Sequence, residues 1–334
     1  MAGPGRNGRA HRSTGMRTRR LTALAGMLLP VLAVAQGLNT DEIQPQSAEM
    51  MPLAAGHSML LDVADTGKRL IAVGARGHVI GSLDGQSWVQ VPTPTRAALT
   101  AVTFADSENG WAVGHDAVII RTRDGGRSWV LQNFEPELEQ PFLDVLFLNA
   151  QHGFAVGAYA LIYETRDGGD SWEAVDTPIT EDGWHFNAIT KLNNGYLFIA
   201  GEAGTLAMSR DNGASWESLE SPYESTMFDV VPVGEKGVLI VGLRGNAYVA
   251  ADADDLNWRQ LSLDSENSLI GAASLPNGEA VMVGINGIIF ESINGASDVQ
   301  RRANPAGITL ASVEPVKGGL VVVGEAGAQL IQNN

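Results

Sequence analysis

The sequence predicts an all-β fold, a seven-bladed β-propeller built from four-stranded blades. A short apolar strand ending in Val-Gly or Ala-Gly recurs seven times, at intervals of 40 to 44 residues. Each interval contains four short strands separated by turn residues and no sustained helical periodicity. Repeats of about forty residues with four strands are typical of propeller blades. The strands end at Gly74, Gly114, Gly157, Gly201, Gly242, Gly284 and Gly324.

The composition supports a folded domain that is held together by packing. The chain has 334 residues, of which 44% are hydrophobic and 18% are charged, so it is too apolar for a disordered protein. It contains no cysteine, which excludes disulfides and a lipid-modified cysteine. The blades must therefore be stabilised by contacts with their neighbours.

The N-terminus resembles a signal peptide over residues 1–35, with Met16 as an alternative start. A basic stretch precedes an apolar run from Leu21 to Val34, and Ala33-Val34-Ala35 fits the small-residue preference of signal peptidase. A membrane anchor is the alternative, but about fourteen apolar residues that include Pro30 span a bilayer poorly. We therefore expect an exported protein, either periplasmic or secreted.

The predicted mature chain is strongly acidic. The leader holds six of the 22 Lys and Arg residues and none of the 38 Asp and Glu residues, so its removal changes the formal net charge from −16 to −22. Such a surface repels phosphate backbones and anionic lipids. We expect a monomer that does not bind nucleic acid.

The ends of the chain predict how the ring closes. The propeller is predicted over residues 57–334, and its seventh unit stops after a third strand. Residues 36–56, which include the apolar stretch Ala48 to Ala55, precede the first blade. We predict that this N-terminal segment supplies the missing outer strand of the last blade, which would reduce the exposed sheet edge.

A second repeated motif lies between the third and fourth strands of the blades. Intact copies run from Thr122 to Trp129, Thr165 to Trp172 and Ser209 to Trp216, and a shorter copy runs from Ser82 to Trp88. In each, an Asp can accept backbone N–H groups, a Gly can take positive φ and a Trp can pack between blades. The predicted structural residues are Asp84, Trp88, Asp124, Gly126, Trp129, Asp167, Gly169, Trp172, Asp211, Gly213 and Trp216.

The alternative, that these aspartates are catalytic acids or metal ligands, is disfavoured by their position. Equivalent copies lie on different blades, so they cannot meet at one site. No motif for a nucleophile, a metal or a phosphate is present. We expect no catalytic residue, no metal and no cofactor.

The motif resembles Asp-boxes, or BNR repeats. The larger unit, AVG-x-x-G followed by a strand and T-x-DGG-x-SW, is similar to the photosystem II stability and assembly factor family. The resemblance covers about residues 57–334. It implies an exported, non-enzymatic propeller that binds newly made membrane-protein subunits, with an arginine-rich patch in binding. The implied partner is a photosystem II subunit in a photosynthetic host. A scaffold for a different envelope complex, such as an exporter, is a further interpretation for a non-photosynthetic host.

The candidate binding site lies on the face that carries the turns after the AVG strands and the connections between blades. These segments differ between units where the rest repeats, as expected for a binding surface on a scaffold. We expect the aromatic residues and His185 to contact a partner, and the arginines to bind carboxylate or phosphate. The candidates are Arg76, His115, Tyr159, Trp184, His185, Tyr223 and Arg244.

A sialidase-like glycoside hydrolase is the alternative function. That chemistry needs three arginines for a carboxylate, which Arg76, Arg96 and Arg244 could supply, and a tyrosine nucleophile, for which Tyr159 or Tyr223 is available. The Phe-Arg-Ile-Pro signature of such enzymes is absent from the sequence. The binding scaffold is therefore the favoured interpretation.

Overall fold

The computed structural model describes residues 44–52, 54–304 and 306–333. The predicted signal peptide, residues 1–35, and residues 36–43 of the predicted N-terminal segment lie outside this range. Among the described residues, no helix is both long enough and apolar enough to cross a membrane.

The described chain folds into seven antiparallel sheets, each with its strands in sequence order. Blades 1 to 3 contain β1 Leu60–Asp65, β2 Leu70–Gly74, β3 Val79–Ser82, β4 Trp88–Val91, β5 Leu99–Phe104, β6 Gly110–Gly114, β7 Ile119–Thr122, β8 Val130–Asn133, β9 Phe142–Phe147, β10 Gly153–Gly157, β11 Ile162–Thr165 and β12 Glu173–Ala174. Blades 4 and 5 contain β13 Phe186–Lys191, β14 Leu197–Gly201, β15 Leu206–Ser209, β16 Glu217–Ser218, β17 Met227–Val233, β18 Gly237–Gly242, β19 Ala247–Ala250 and β20 Arg259–Gln260. Blades 6 and 7 contain β21 Leu269–Ser274, β22 Ala280–Gly284, β23 Ile289–Ile293, β24 Asp298–Arg302, β25 Leu310–Val316, β26 Gly319–Gly324 and β27 Gly327–Gln332.

The seven sheets form a closed ring. The first strand of each blade contacts the first strand of the next, and β25 of blade 7 contacts β1 of blade 1. Leu60 and Val63 of blade 1 share a buried core cluster with Val321 and Val323 of blade 7. The predicted all-β, seven-bladed propeller is confirmed, and packing joins the first blade to the last.

The last blade has three strands among the described residues, β25 to β27. The described part of Ala48 to Ala55 forms no strand and bonds to blade 1, while Ala55 packs in the cluster that blades 1 and 7 share. Residues 36–43 of the predicted closing segment lie outside the described residues, so closure by this segment stays a prediction. The Ala48 N–H donates to the Thr93 carbonyl at 3.3 Å, and the Met51 N–H donates to Gln90 Oε1. The Gln90 amide also donates to the Glu49 carbonyl at 2.8 Å, so polar contacts that the apolar pattern does not encode place this segment.

The second strand of every blade is buried along its whole length. It lies inside its own sheet and has a neighbouring blade on each face, so apolar side chains on both faces lose contact with water. This explains the continuous runs such as Leu-Ile-Ala-Val-Gly in β2 and Gly-Trp-Ala-Val-Gly in β6. The recurrent AVG strands are thus the buried centre of each blade.

A short 3-10 turn separates the second and third strands of blades 1 to 6. The turns are Ala75–Gly77, His115–Ala117, Ala158–Ala160, Glu202–Gly204, Leu243–Gly245 and Ile285–Gly287. Ala117, the last residue of the turn in blade 2, has φ of +48°. The other 3-10 turns are Ala55–His57, Pro136–Leu138 and Pro178–Thr180.

Gly213 provides a test of how the blades pack. It has φ of +89°, and a Cβ added there would collide with the ring of Phe154 on the neighbouring blade. Gly195 has a similar φ of +93° with no atom within 4 Å of an added Cβ. Gly195→Ala should cost only the backbone strain, about 1 kcal/mol, whereas Gly213→Ala should cost about 1–3 kcal/mol more. Denaturant unfolding of both variants measures the difference, and equal losses would contradict this packing.

Candidate functional site

Two opposite ends of the blades carry different turns. We call one end the connection face; it carries the 3-10 turns after the second strands and the connections between blades. Hydrogen bonds join these two kinds of segment, as between the Ala158 N–H and the Pro141 carbonyl at 3.0 Å. The other end, the box face, carries the Asp-containing motifs. There the Gly125 N–H donates to the Glu108 carbonyl at 2.9 Å.

The connection face exposes one equivalent side chain from each of blades 1 to 6. The middle residue of each 3-10 turn has φ between +52° and +60°, and all six are exposed. Glycine, asparagine and aspartate adopt this left-handed conformation most readily, and other residues pay about 1–2 kcal/mol. The turn itself therefore does not require the larger side chains found at several of these positions. The six residues are Arg76, Asp116, Tyr159, Ala203, Arg244 and Asn286.

Three of the predicted contact residues lie close together at blades 3 and 4. Tyr159 is 61% exposed, and its ring meets the edge of His185 with centroids 4.8 Å apart and planes at 90°. His185 Nδ1 lies 3.2 Å from Glu202 Oε2, which fixes the imidazole against blade 4. Trp184, the residue before His185, is 46% exposed. We call Tyr159, Trp184, His185 and Glu202 the aromatic cluster.

The remaining candidates do not belong to this cluster. Tyr223 is half-buried and stacks on Tyr248 with ring centroids 6.2 Å apart, so it packs locally. Arg76 lies on the turn of blade 1, His115 on that of blade 2 and Arg244 on that of blade 5, all exposed. The candidates thus divide into one cluster and separate positions around the ring.

The positions of the arginines do not favour the hydrolase alternative. Arg76 and Arg96 belong to the turn of blade 1 and the connection that follows it, whereas Arg244 belongs to blade 5. Blades 2 to 4 separate them in one direction around the ring, and blades 6 and 7 in the other. A three-arginine carboxylate site needs three guanidinium groups that converge on one ligand, and no contact joins Arg244 to Arg76 or Arg96 among the described residues.

The box-face turns are held by their own aspartates. Asp124 Oδ1 accepts the Ser128 N–H at 2.9 Å and the Thr122 hydroxyl at 2.8 Å, while Oδ2 accepts the Ser128 hydroxyl at 2.6 Å. Asp167 and Asp211 repeat this arrangement, and Asp84 repeats its backbone part. The Ser171 hydroxyl and N–H lower the pKa of Asp167 to about 2. These carboxylates therefore stabilise their own turns by accepting hydrogen bonds from turn residues.

The tryptophans of these turns pack against phenylalanines in an edge-to-face geometry. Trp129 meets Phe104 with centroids 6.3 Å apart, and Trp172 meets Phe147 at 5.8 Å. Each of these two pairs lies within one blade, whereas Trp216 meets Phe154 of the preceding blade at 6.1 Å. Such pairs add about 0.5–1.5 kcal/mol beyond the area that they bury.

Three aspartates in the central channel were missed by the sequence analysis. The channel has a volume of about 630 Å³ and is lined by the first strands of the blades. Asp62, Asp144 and Asp229 lie at equivalent positions of blades 1, 3 and 5, each after an apolar residue and before Val. An apolar residue, Asp and Val thus recur together in the first strand of every second blade, and this repeat could have revealed the three aspartates from the sequence.

Each channel aspartate joins its blade to the next. Asp144 Oδ1 accepts the N–H of its neighbour Val145, and Oδ2 accepts the Ile189 N–H of blade 4, both at 2.7 Å. Asp62 does the same with Val102 of blade 2, and Asp229 with Ala272 of blade 6. Asp62 also accepts the hydroxyl of Ser312 from blade 7 at 2.8 Å. The three carboxyls therefore act as contacts between blades.

Burial makes these carboxyls unusually hard to ionise. Desolvation raises the pKa of Asp62 to about 6 and that of Asp229 to about 7, although the backbone N–H donors lower both. The pKa of Asp144 is raised well above its usual value by burial, and by the charges of Asp229 and Asp62. Burial also raises the pKa of Glu314, which lines the same channel, to about 8. Among the described residues, no group of three or more His, Asp or Glu residues is placed to hold a metal ion.

Comparison with known proteins identifies similar proteins that are described as photosystem II assembly factors. The family described as photosynthesis system II assembly factor YCF48 matches residues 80–139 and 132–290, more than half of the chain. Photosystem II stability/assembly factor HCF136 of Cyanidioschyzon merolae is 42% identical over 53 residues. Photosystem II assembly protein Ycf48 of Thermosynechococcus vestitus is 40% identical over 50 residues. Each similar segment covers 15% of this chain, and only 12% and 14% of these two relatives.

Solved propellers resemble the fold as a whole. The structure described as YCF48 bound to D1 peptide has a TM-score of 0.68 and 17% identity, and covers 87% of this chain and 100% of that one. An ancestral GH74 enzyme has the same TM-score with 12% identity, and covers 87% of this chain and 46% of that one. At these identities the likeness shows the fold alone, because one fold hosts many functions.

Proposed function

This chain belongs to the family of photosynthesis system II assembly factors, and from that membership we propose that it is an exported scaffold that binds a membrane protein through its connection face. The observation that carries the proposal is the aromatic cluster. It presents Tyr159 and Trp184 to solvent at 61% and 46% exposure on a rigid ring. Exposed Trp and Tyr side chains are the residues that most often dominate binding energy at protein interfaces.

The class of partner is proposed from the relatives. One solved relative is described as bound to a D1 peptide, and the two relatives similar in sequence are described as photosystem II assembly proteins. We propose that the partner here is a photosystem II subunit in a photosynthetic host, and otherwise another membrane complex such as an exporter. The predicted signal peptide supports an encounter on the periplasmic or outer side of the membrane.

We propose that the protein is a scaffold without catalytic activity. The aspartates of the box-face turns accept hydrogen bonds within their own turns, and Asp62, Asp144 and Asp229 of the channel join neighbouring blades. These carboxylates hold the fold together, whereas glycoside hydrolysis requires a pair of carboxylates that act on the substrate. The variable residues are instead concentrated in the turns of the connection face.

Affinity capture tests the proposed function. Tagged mature protein, residues 36–334, is incubated with detergent-solubilised membranes of its host, and the recovered proteins are identified by mass spectrometry. We expect one membrane complex to be enriched. The double variant Tyr159→Ala/Trp184→Ala should recover at most on the order of one tenth as much of this complex. The matched control is Leu83→Ala, which removes an 82% exposed apolar side chain from the box face.

Two results would contradict the proposal. Recovery of the same complex by the double variant would remove the aromatic cluster from the interface. A loss caused by Leu83→Ala instead would move the interface to the box face. Circular dichroism and thermal unfolding of each variant show whether a lost interaction reflects binding rather than unfolding.

A further inference from the structure

We propose that the connection face of blades 2 to 4 docks a positively charged segment of the partner, rich in Lys or Arg, with Tyr159 and Trp184 as its anchors. This inference rests on the proposed function and specifies the chemistry of the partner. It is carried by the aromatic side chains that this region exposes and by the sign of the charge around them.

The connection-face segments of blades 2 to 4 carry acidic residues and no Lys or Arg. We call them the acidic sector, which comprises residues 115–117, 134–141, 158–160, 176–185, 202–204 and 219–226. They contain ten Asp and Glu residues and no Lys or Arg. Eight of the ten carboxylates are exposed. The ten residues are Asp116, Glu135, Glu137, Glu139, Asp176, Glu181, Asp182, Glu202, Glu220 and Glu224.

The rest of the same face is balanced in charge. The corresponding segments of blades 1, 5, 6 and 7 are residues 75–77, 92–98, 243–245, 261–268, 285–287, 303–309 and 325–327. They contain three arginines and three carboxylates. The excess of negative charge is therefore confined to one side of the ring and does not simply follow from the acidity of the whole chain. The six charged residues are Arg76, Arg96, Arg244, Asp264, Glu266 and Glu325.

The structure shows that the acidic sector is one continuous surface. The Glu135 N–H donates to the Asp116 carbonyl, and the chain from there reaches Pro141, whose carbonyl accepts from Ala158. The aromatic cluster then links the turn of blade 3 to the segment that leads into blade 4 through the contact of Tyr159 with His185, and His185 in turn contacts Glu202 of blade 4. Beyond it, the Gly204 N–H donates to the Ser225 carbonyl at 2.9 Å. Neighbouring turns and connections are thus linked across the sector.

In the part of the chain that the structure describes, no Lys or Arg forms an ion pair with a carboxylate of the acidic sector. Its one charge contact is that of Glu202 with His185. Carboxylates held together without counter-charges make the local electrostatic potential more negative. This potential attracts a cationic partner and speeds its association.

The aromatic cluster adds a contact that also favours a cation. Lys and Arg side chains are attracted to the faces of Trp and Tyr rings by cation–π interactions, and the nearby carboxylates strengthen this attraction. Tyr159 is held out from the turn by a left-handed backbone that its side chain does not favour. An anionic lipid surface or a nucleic acid would be repelled from the same place.

Fluorescence anisotropy with short labelled peptides tests the inference. One peptide alternates Arg with Ser, and its partner of equal length alternates Glu with Ser. We expect the Arg peptide to bind the full mature protein on the order of tenfold more tightly than the Glu peptide, and its affinity to fall as ionic strength rises to about 0.15 M. Trp184→Ala should weaken its binding further.

Two double variants, each of which neutralises two carboxylates, distinguish a specific binding site from the general attraction of a cationic peptide to an acidic protein. Glu137→Gln/Glu139→Gln changes the acidic sector, and Asp264→Asn/Glu266→Gln makes the same change in charge and spacing on the balanced side. All four carboxylates are exposed, so neither pair should disturb folding. We expect the first pair to weaken Arg-peptide binding severalfold and the second to change it by less than about twofold.

Equal binding of the Arg and Glu peptides, no binding of either, or equal loss from the two pairs would overturn the inference. Affinity capture that still depends on Tyr159 and Trp184 would then leave the proposed function in place with a partner of other chemistry. Conversely, sector-specific binding of the Arg peptide without any captured complex would support the cationic dock and contradict the membrane-protein partner.

Discussion

Replacing Trp111 by alanine is expected to lower the free energy of unfolding by about 3–5 kcal/mol, because it removes the largest fully buried side chain at the junction of blades 2 and 3. The indole stacks on Phe147 with centroids 3.4 Å apart and planes within 6°. Its Nε1 donates to the Gly168 carbonyl at 3.0 Å, and the guanidinium of Arg121 lies over the ring at 5.1 Å. Alanine would leave a cavity, an unpaired carbonyl and an Arg without its aromatic contact.

Chemical denaturation followed by far-ultraviolet circular dichroism measures this loss. Trp184→Ala is the matched control, since it deletes the same side chain from an exposed position and should change stability by about 0.5 kcal/mol or less. Trp111→Phe should recover part of the loss by refilling some of the cavity. A loss for Trp111→Ala no larger than that for Trp184→Ala would contradict the packing between these blades.

The second large effect concerns pH and the channel carboxyls. Burial raises the pKa of Asp229 in the folded ring to about 7, above the value of an unfolded chain. A raised pKa means that the folded state binds the proton more tightly, so the stability contribution is present at low pH and is lost as pH rises through about 7. From about pH 5 to about pH 8, the free energy of unfolding should therefore fall by a few kcal/mol, with Asp62 adding to the effect.

Asp229→Asn isolates this contribution because an amide does not titrate. The variant loses one acceptor for the N–H groups of Val230 and Ala272, so its absolute stability should fall by about 1–3 kcal/mol at low pH. Its fall in stability between about pH 5 and about pH 8 should be smaller than that of the native protein, by on the order of 1–3 kcal/mol. Parallel pH profiles for the two proteins would show that Asp229 does not couple ring stability to pH.

The repeat pattern accounts for how much of the fold could be predicted. Regular spacing of the AVG strands gives the number of blades, because each such strand must be buried between two neighbours. The strand order and the placement of the box turns follow from the same spacing. The hydrogen bonds of Ala48 to Ala55 with blade 1 did not follow, because its apolar pattern does not say which polar groups it meets. The hydrogen bonds of Gln90 with Glu49 and Met51, which place it, have no signature in the sequence.

The candidate site was predictable only in part. Variation between units pointed to the connection face, and Tyr159, Trp184 and His185 lie together there. The contact of Tyr159 with His185 could not be derived, since it joins the turn of blade 3 to the segment that leads into blade 4, and their relative height depends on packing. Tyr223 looked equivalent in sequence, yet its ring is covered by Tyr248. The uneven distribution of charge was present in the sequence, but only the ring geometry shows that the acidic segments are neighbours.

The most direct test of the central claim is affinity capture with a photo-cross-linking amino acid placed on each face in turn. One protein carries it at Trp184 in the aromatic cluster, and the other at Gln86 in an exposed turn of the box face. After irradiation in solubilised host membranes, the account predicts a covalent adduct with one membrane protein from position 184 and none from position 86. The same adduct from position 86, with none from position 184, would contradict binding through the connection face.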